Sequence, residues 1–160
     1  VLSQLLNPDV AIRNASIAGH GNAAGFVEFD GEAHRNRRMT RKEVKDDLII
    51  LMGGRAAQVI KFGEDGVDAG AADDLAQALR LAHKAITDWG MDSTYDPASG
   101  GGAAITTLES TVSAWLAEAF RTAVELLREH SAHLDTLAAA MLVDAVGTTP
   151  RRPVRRKRSS

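Results

Sequence analysis

The chain has no cysteine. Disulfides, thiolate metal sites and a cysteine nucleophile are therefore excluded, and a reducing compartment is the expected setting. Aromatic residues make up only 4% of the chain. A core must then come mainly from Ala, Leu, Ile and Val, which favours helix packing. No apolar run approaches the roughly 18 residues that a membrane-spanning helix needs. A secretory leader pattern is missing, and the first residue is Val1 rather than Met, so a fragment or processed chain is expected. The glycines at 100–102 lack the Gly-Lys-Ser/Thr ending of a phosphate-cradling loop. No serine sits in a recognisable nucleophile elbow.

What remains is ordinary for a globular chain: 160 residues, 44% hydrophobic and 25% charged. That length suits one domain with a real core. The charge is unevenly placed. Six of the 19 bases, Arg151, Arg152, Arg155, Arg156, Lys157 and Arg158, fall in the last eleven residues, which contain no acid. The rest carries thirteen bases against 21 acids, about −8 overall. A nucleic-acid-binding domain clusters its bases on the folded surface instead, so no nucleic-acid partner is expected. The tail itself reads as a solvated, disordered segment from residue 148. Its alternative is contact with anionic lipid or nucleic acid, though it has no aromatic to stack on a base.

Along the chain, Val1 to Leu6 reads as the end of a helix stopped by Asn7-Pro8-Asp9. Alternation of Val10, Ile12, Ala15 and Ile17 predicts a short strand to Ala18. Gly19 to Asn22 reads as a turn, and Ala23 to Phe29 as a second strand. Thr40-Arg41-Lys42-Glu43 has the spacing of a capping box. The helix it opens carries Val44, Leu48, Leu51 and Met52 on one face. Asp92 to Gly102 reads as a flexible loop, and a long helix is expected from about Thr106. Ser131 is placed to cap a last helix, packed antiparallel on the one before it. The fold class is therefore mainly α with a small β-hairpin near the amino end.

The most informative stretch is Gly53-Gly54-Arg55-Ala56-Ala57-Gln58-Val59-Ile60-Lys61-Phe62-Gly63, a linker, then Gly70-Ala71-Ala72-Asp73-Asp74-Leu75 and a helix to Trp89-Gly90. Two adjacent glycines in a helical context imply a break or a close backbone contact. Leu75, Ala78, Leu79, Ala82, Ala85, Ile86 and Trp89 form one stripe at helical spacing. Asp74 lies at its edge, one step of about 100° from Leu75. On spacing alone Asp73-Asp74 reads as helix capping, since Asp is a preferred cap. His83 lies nine residues beyond Asp74, on the opposite helix face, and cannot share a metal with it. His130 and His133 share a face without an acidic partner placed by the sequence.

Together these segments, ending in Trp89-Gly90-Met91, resemble the peptidase domain of the FtsH-type AAA+ zinc metalloproteases. The resemblance covers roughly residues 8 to 146 and implies the helical peptidase fold of that family over residues 1–147. In the family the Asp of Gly-Ala-x-x-Asp-Leu is the third zinc ligand, and Asp74 holds that position. The first two ligands and the general base come from a His-Glu-x-x-His helix, and no such sequence occurs here. The resemblance implies that this motif ends shortly before Val1, so no catalytic residue is expected in this chain. It also implies a membrane-anchored hexamer whose missing AAA+ module uses ATP to unfold protein substrates. This domain would then face the cytoplasm or an equivalent reducing compartment, and the membrane would be reached only through missing segments. The fragment alone is expected to be soluble, inactive and without an ordered zinc. The family has Glu where Gln58 and Val59 stand, so Gln58 supplies no charge near the metal.

The strand containing Gly25, Phe26 and Val27 lies near the cleft in that family. Its edge can pair with an extended substrate backbone, the strand-addition mode. The alternative is a plain core hairpin. The alternative for the whole chain is a helical interaction or oligomerisation module derived from such a peptidase and no longer catalytic.

Overall fold

A computed structural model of the protein describes residues 1–6, 8, 12–16, 26–29, 39–96, 98 and 101–147. The chain is mainly helical. In order it forms α1 (Leu2–Leu6), β1 (Ile12–Ser16), β2 (Phe26–Phe29), α2 (Arg41–Leu51), α3 (Gly53–Phe62), α4 (Ala72–Thr87), α5 (Gly101–Glu129) and α6 (Ser131–Gly147). Two short 3-10 turns, Glu64–Gly66 and Ala69–Ala71, join α3 to α4. The strands pair antiparallel, with Ala15 opposite Val27 and Ser16 opposite Phe26, and the register shifts between Ile12 and Asn14. Gly25, His20, His34 and residues 148–160 lie outside the described residues.

α5 is the element on which the others pack. Val112, Trp115, Ala119, Ala123 and Leu127 recur at helical spacing along it and are all buried. α2, α3 and α4 each lie against this helix, and α1 sits between α2 and α5. Small residues face the seams: Ala56 on α3, and Ala78, Ala82 and Ala85 on α4, are fully buried. Short side chains at a contact let helix axes come close. Larger groups, Val44, Leu48, Ile86 and Val112, fill the centre.

Local signals set the helix ends. At α2 the Thr40 hydroxyl accepts from the Glu43 N–H at 3.2 Å, and the Thr40 N–H donates to the Glu43 carboxylate at 2.7 Å. This is the reciprocal capping box that the Thr-x-x-Glu spacing predicts. Met52 joins α2 to α3 with near-helical backbone angles. After α4, Gly90 at φ +60° lets the chain turn back, and the Met91 N–H bonds to the Ala85 carbonyl at 2.9 Å.

Three expectations need correction. α5 begins at Gly101, not near Thr106. Gly101, at φ +71°, turns the chain into the helix, and the Ala103-Ala104 pair behind it favours helix. The apolar stripe of α4 is only partly covered: Leu75, Leu79 and Trp89 are each about two-fifths exposed, at 41%, 43% and 41%. Finally, α6 is not packed along α5 as an antiparallel partner. It makes few contacts with α5, also touches β1, and leaves Leu142 59% exposed. A one-residue joint at His130, whose ring Nδ1 lies 2.9 Å from the Leu126 carbonyl oxygen, leaves little chain to reverse direction.

Candidate metal-ligand site

The site is built on one face of α3. Gly54 and Gln58 are four residues apart, hence one turn apart on the same face. The chain entering α4 lies across that face. A Cβ on Gly54 would sit 3.7 Å from the Asp74 Oδ2 and 3.8 Å from the Ala71 Cβ. One turn along, the Gln58 Nε2 donates to the Asp68 Oδ1 at 2.5 Å. The same oxygen accepts the Gly70 N–H at 2.8 Å.

Asp74 is half-buried, whereas Asp73 beside it is exposed. Neither caps the helix: the residue before α4 is Ala71, with no side-chain cap bond, and both acids lie in the first turn. The capping reading of the pair is thus not what the structure holds; the cap bond nearby is that of Asp68 on the preceding 3-10 turn. Among the described residues no hydrogen bond or ion pair engages the Asp74 carboxylate. Burial, and secondarily the negative charge of Asp73, push its pKa above the ordinary value. The positive end of the α4 dipole acts in the other direction.

Gly53 brings a second element to the same place. A Cβ there would meet the Leu2 Cδ1 at 2.8 Å. The glycine pair therefore receives α1 on one residue and Asp74 on the next, which is the close contact that two glycines imply.

The chemistry available is limited. Among the described residues no three His, Asp or Glu side chains are grouped to hold a metal. The donor set offers one free carboxylate, which fits a single ligand of a larger site and not a site by itself. His83 lies 3.7 Å from Glu109 on α5, away from Asp74. His133 is exposed.

Beside Asp74, an open cavity of about 400 Å³ lies between α3, α4 and α5, lined by Met52, Arg55, Leu75, Leu79, Glu109 and Phe120 among others. Asp74 is not among its lining residues. Arg55 lies over the Phe120 ring, 5.4 Å from its centroid.

Sequence reading missed a polar cluster on the far side of α5. Asp92 is buried and accepts from the Trp115 Nε1–H at 2.7 Å, from the Thr94 hydroxyl and N–H at 2.6 and 2.9 Å, and from Arg41 at 3.3 Å. The Thr94 hydroxyl, opposed by some burial and helped by the other donors, holds its pKa below the usual carboxylate range. Arg41 and Lys45 each lie 5.4 Å from the Trp115 ring centroid. The Asp-Ser-Thr spacing is a turn signal that could have revealed the local half of this cluster. Nothing in the sequence pointed to Trp115.

Comparison with known proteins bears on the chain as a whole. The ATP-dependent zinc metalloprotease FtsH of Neorickettsia risticii is 33% identical over 153 residues, which is 89% of this chain and 24% of that protein. The ATP-dependent zinc metalloprotease FtsH 1 of Symbiobacterium thermophilum is 36% identical over 132 residues, 79% of this chain and 22% of that protein. The ATP-dependent zinc metalloprotease YME1 homolog of Schizosaccharomyces pombe is 31% identical over 110 residues, 64% and 16%. The chain thus spans about a quarter or less of the length of these relatives. Among the described residues no helix is long and apolar enough to cross a membrane. The family model of peptidase family M41 matches residues 1–105, well over half of the chain, and the chain belongs to that family.

Proposed function

We propose that this chain is part of the peptidase module of an ATP-dependent zinc metalloendopeptidase and that Asp74 is its carboxylate ligand to zinc. The observation that carries the reading is the Asp74 carboxylate itself. It is half-buried, has no protein partner among the described residues, and lies against Gly54, next to the glycine that receives α1. The remaining two ligands and the general base belong to a His-Glu-x-x-His helix outside these 160 residues. Bound zinc lowers the pKa of its water to about 7 and polarises the peptide carbonyl. This chain's part is to hold one ligand in place and to shape the neighbouring cleft. Residues 1–147 form the peptidase unit and 148–160 a basic tail.

The names of the relatives support ATP dependence and protein substrates for the whole protein. Hexameric assembly, membrane anchoring and feeding of unfolded substrate by an AAA+ module belong to the same proposal. So does pairing of substrate with the strand around Phe26 and Val27.

The test is Asp74→Asn in the natural full-length protein. Zinc content and peptide hydrolysis should both fall by more than about a hundredfold, an extrapolation beyond the 10–100-fold seen for outer-shell changes, while ATP hydrolysis persists. Unchanged zinc content would refute the assignment. For the present chain alone, calorimetry should show no stoichiometric submicromolar zinc site.

A second reading, a non-catalytic assembly module, draws on α6. This seventeen-residue helix leaves most of its described side chains exposed, Leu142 among them. Intact zinc-dependent hydrolysis by the natural protein would exclude it.

A further inference from the structure

We infer that Gln58 is the positioning residue that fixes where α4 begins, and so where Asp74 stands, and that it can do this only as an amide. Register is the first observation. Going back along α3 from Gln58 to Gly54, the opposing chain runs forward from Gly70 to Asp74. Contacts therefore occur at two levels one turn apart, and a slip of one residue in the linker would break both. At the Gly54 level nothing directional acts: a Cβ placed there would stand 3.7 Å from the Asp74 Oδ2 and 3.8 Å from the Ala71 Cβ, so the approach is one of shape alone. At the Gln58 level they are directional. The Asp68 Oδ1 accepts the Gln58 Nε2–H and the Gly70 N–H together. A Cβ on Gly70 would lie 2.9 Å from that oxygen and 3.5 Å from the Gln58 Nε2, so the approach requires glycine.

The amide is required because the partner is a carboxylate. An ionised Asp accepts only, so position 58 must donate. A Glu there would place two carboxylates within hydrogen-bond distance, which disfavours the ionised pair. The other end of the amide is idle: the Gln58 Oε1 is buried with no hydrogen-bond partner among the described residues. Nothing competes with Asp68 for the orientation of the side chain, and flipping it would point oxygen at oxygen. The Gln58 amide acts on Asp74 only through this chain of contacts: Asp68, the Gly70 turn, the first turn of α4.

That Asp74 is positioned for a metal rests on the zinc reading above; the latch does not. Amide hydrogen exchange on this chain tests it, with Gly70 and residues 72–76 as the readout and the buried residues of α5 as the internal control. In Gln58→Glu these amides should exchange about tenfold faster or more, the loss expected for a hydrogen bond to a charged group. Gln58→Glu combined with Asp68→Asn should restore slow exchange. In that double variant the side chain at position 68 has to turn about its last torsion, because one oxygen serves both contacts in the parent chain: its amide nitrogen then donates to the new carboxylate at position 58 and its amide oxygen accepts from Gly70. Gln58→Leu should exchange fast with or without Asp68→Asn. A protein that merely needs a well-packed residue 58 would not show this charge-swapped rescue. Wild-type exchange in Gln58→Glu, or a double variant no slower than the single one, overturns the inference. If Gln58→Glu loosens the whole fold, the control amides report it and the double variant still decides. Rescue as expected, together with unaltered zinc content in Asp74→Asn of the natural protein, would remove the zinc reading and leave the latch standing; the opposite pair of results would remove the latch alone.

Discussion

Gly53 and Gly54 are neighbours in one helix turn, yet replacing each with Ala should act in opposite directions. Ala gains roughly 0.5–1 kcal/mol over Gly in a helix. At Gly54 the new methyl group finds room, since its nearest neighbours stand at 3.7 and 3.8 Å. At Gly53 it would meet the Leu2 Cδ1 at 2.8 Å, against about 3.5–4.0 Å for a comfortable carbon contact. Leu2 is only 6% exposed and hemmed in by the core, so its tip cannot simply swing away. Overpacking of this kind costs about 1–3 kcal/mol. Gly54→Ala should therefore stabilise slightly, Gly53→Ala should destabilise, and the two should differ by at least about 1 kcal/mol. Urea unfolding measures this directly; in a thermal scan each kcal/mol is about 2–4 °C for a chain of this size. Shortening Leu2 to Ala should reverse the sign at Gly53, because the obstacle is then gone, and should leave the effect at Gly54 unchanged. Gly54→Ala carries a second signature. Its methyl displaces water beside Asp74, so the already raised pKa of that carboxyl should rise further in an NMR titration. Equal shifts for the two variants, or a Leu2→Ala background that changes neither, would refute this account of the glycine pair.

Three further outcomes follow from the same contacts. Trp115→Phe keeps a ring beside Arg41 and Lys45 but removes the donor to Asp92; it should cost about 1.5–3 kcal/mol, and a loss below about 0.5 kcal/mol in urea unfolding would show that Thr94 and Arg41 suffice. Asp92 is held below its ordinary pKa, chiefly by Thr94, so its stabilisation is complete above the unfolded value near 3.9 and disappears as pH falls through the lower folded value; Asp92→Asn should accordingly lose stability at pH 7 and much less at the acid end. Thr40→Ala breaks the capping box and should cost about 1 kcal/mol, with a matching rise in exchange confined to the first turn of α2.

Much of this fold is written in short-range pattern. The Thr40–Glu43 box needs only local geometry and stands where spacing puts it; along α5, Leu108, Val112, Trp115, Leu116, Ala119, Ala123, Leu126 and Leu127 recur at helical spacing, and Leu108, Leu116 and Leu126 are only partly buried. What escapes is anything that depends on a second element. Periodicity assigns Leu75 and Leu79 to the same face as Ala78 and Ala82, but only the neighbours of α4 decide how much of that face is covered. The glycines at 100–102 suggested a loop, because sequence does not show which one turns the corner; Gly101 does, and Gly102 is already helical. Gln58 reads as a missing charge until Asp68, ten residues on, supplies one. The Asp92 cluster joins three separate elements and leaves only its Asp92–Thr94 half in local sequence.

Two neighbouring acids differ energetically in a way that bears on zinc. Asp73 is exposed in the first turn of α4, where it can meet the helix dipole at little cost. Asp74 is half-buried in the same turn, and its pKa is raised, mainly by that burial. A folded-state pKa above the unfolded one means that the ionised group opposes folding once pH exceeds about 4, and that the penalty vanishes as the group is protonated at lower pH. Asp74→Asn should therefore raise stability at pH 7 and leave it unchanged near pH 3, the reverse of Asp92→Asn. No partner among the described residues relieves the charge, and the capping bond that would justify it is absent. A residue that weakens the fold as a lone anion, six residues from a directional hydrogen-bonded latch, has the energetics that the proposed role as a metal ligand requires. Were Asp74→Asn to destabilise the chain at neutral pH, folding alone would account for the acid and the energetic reason for a metal there would be gone.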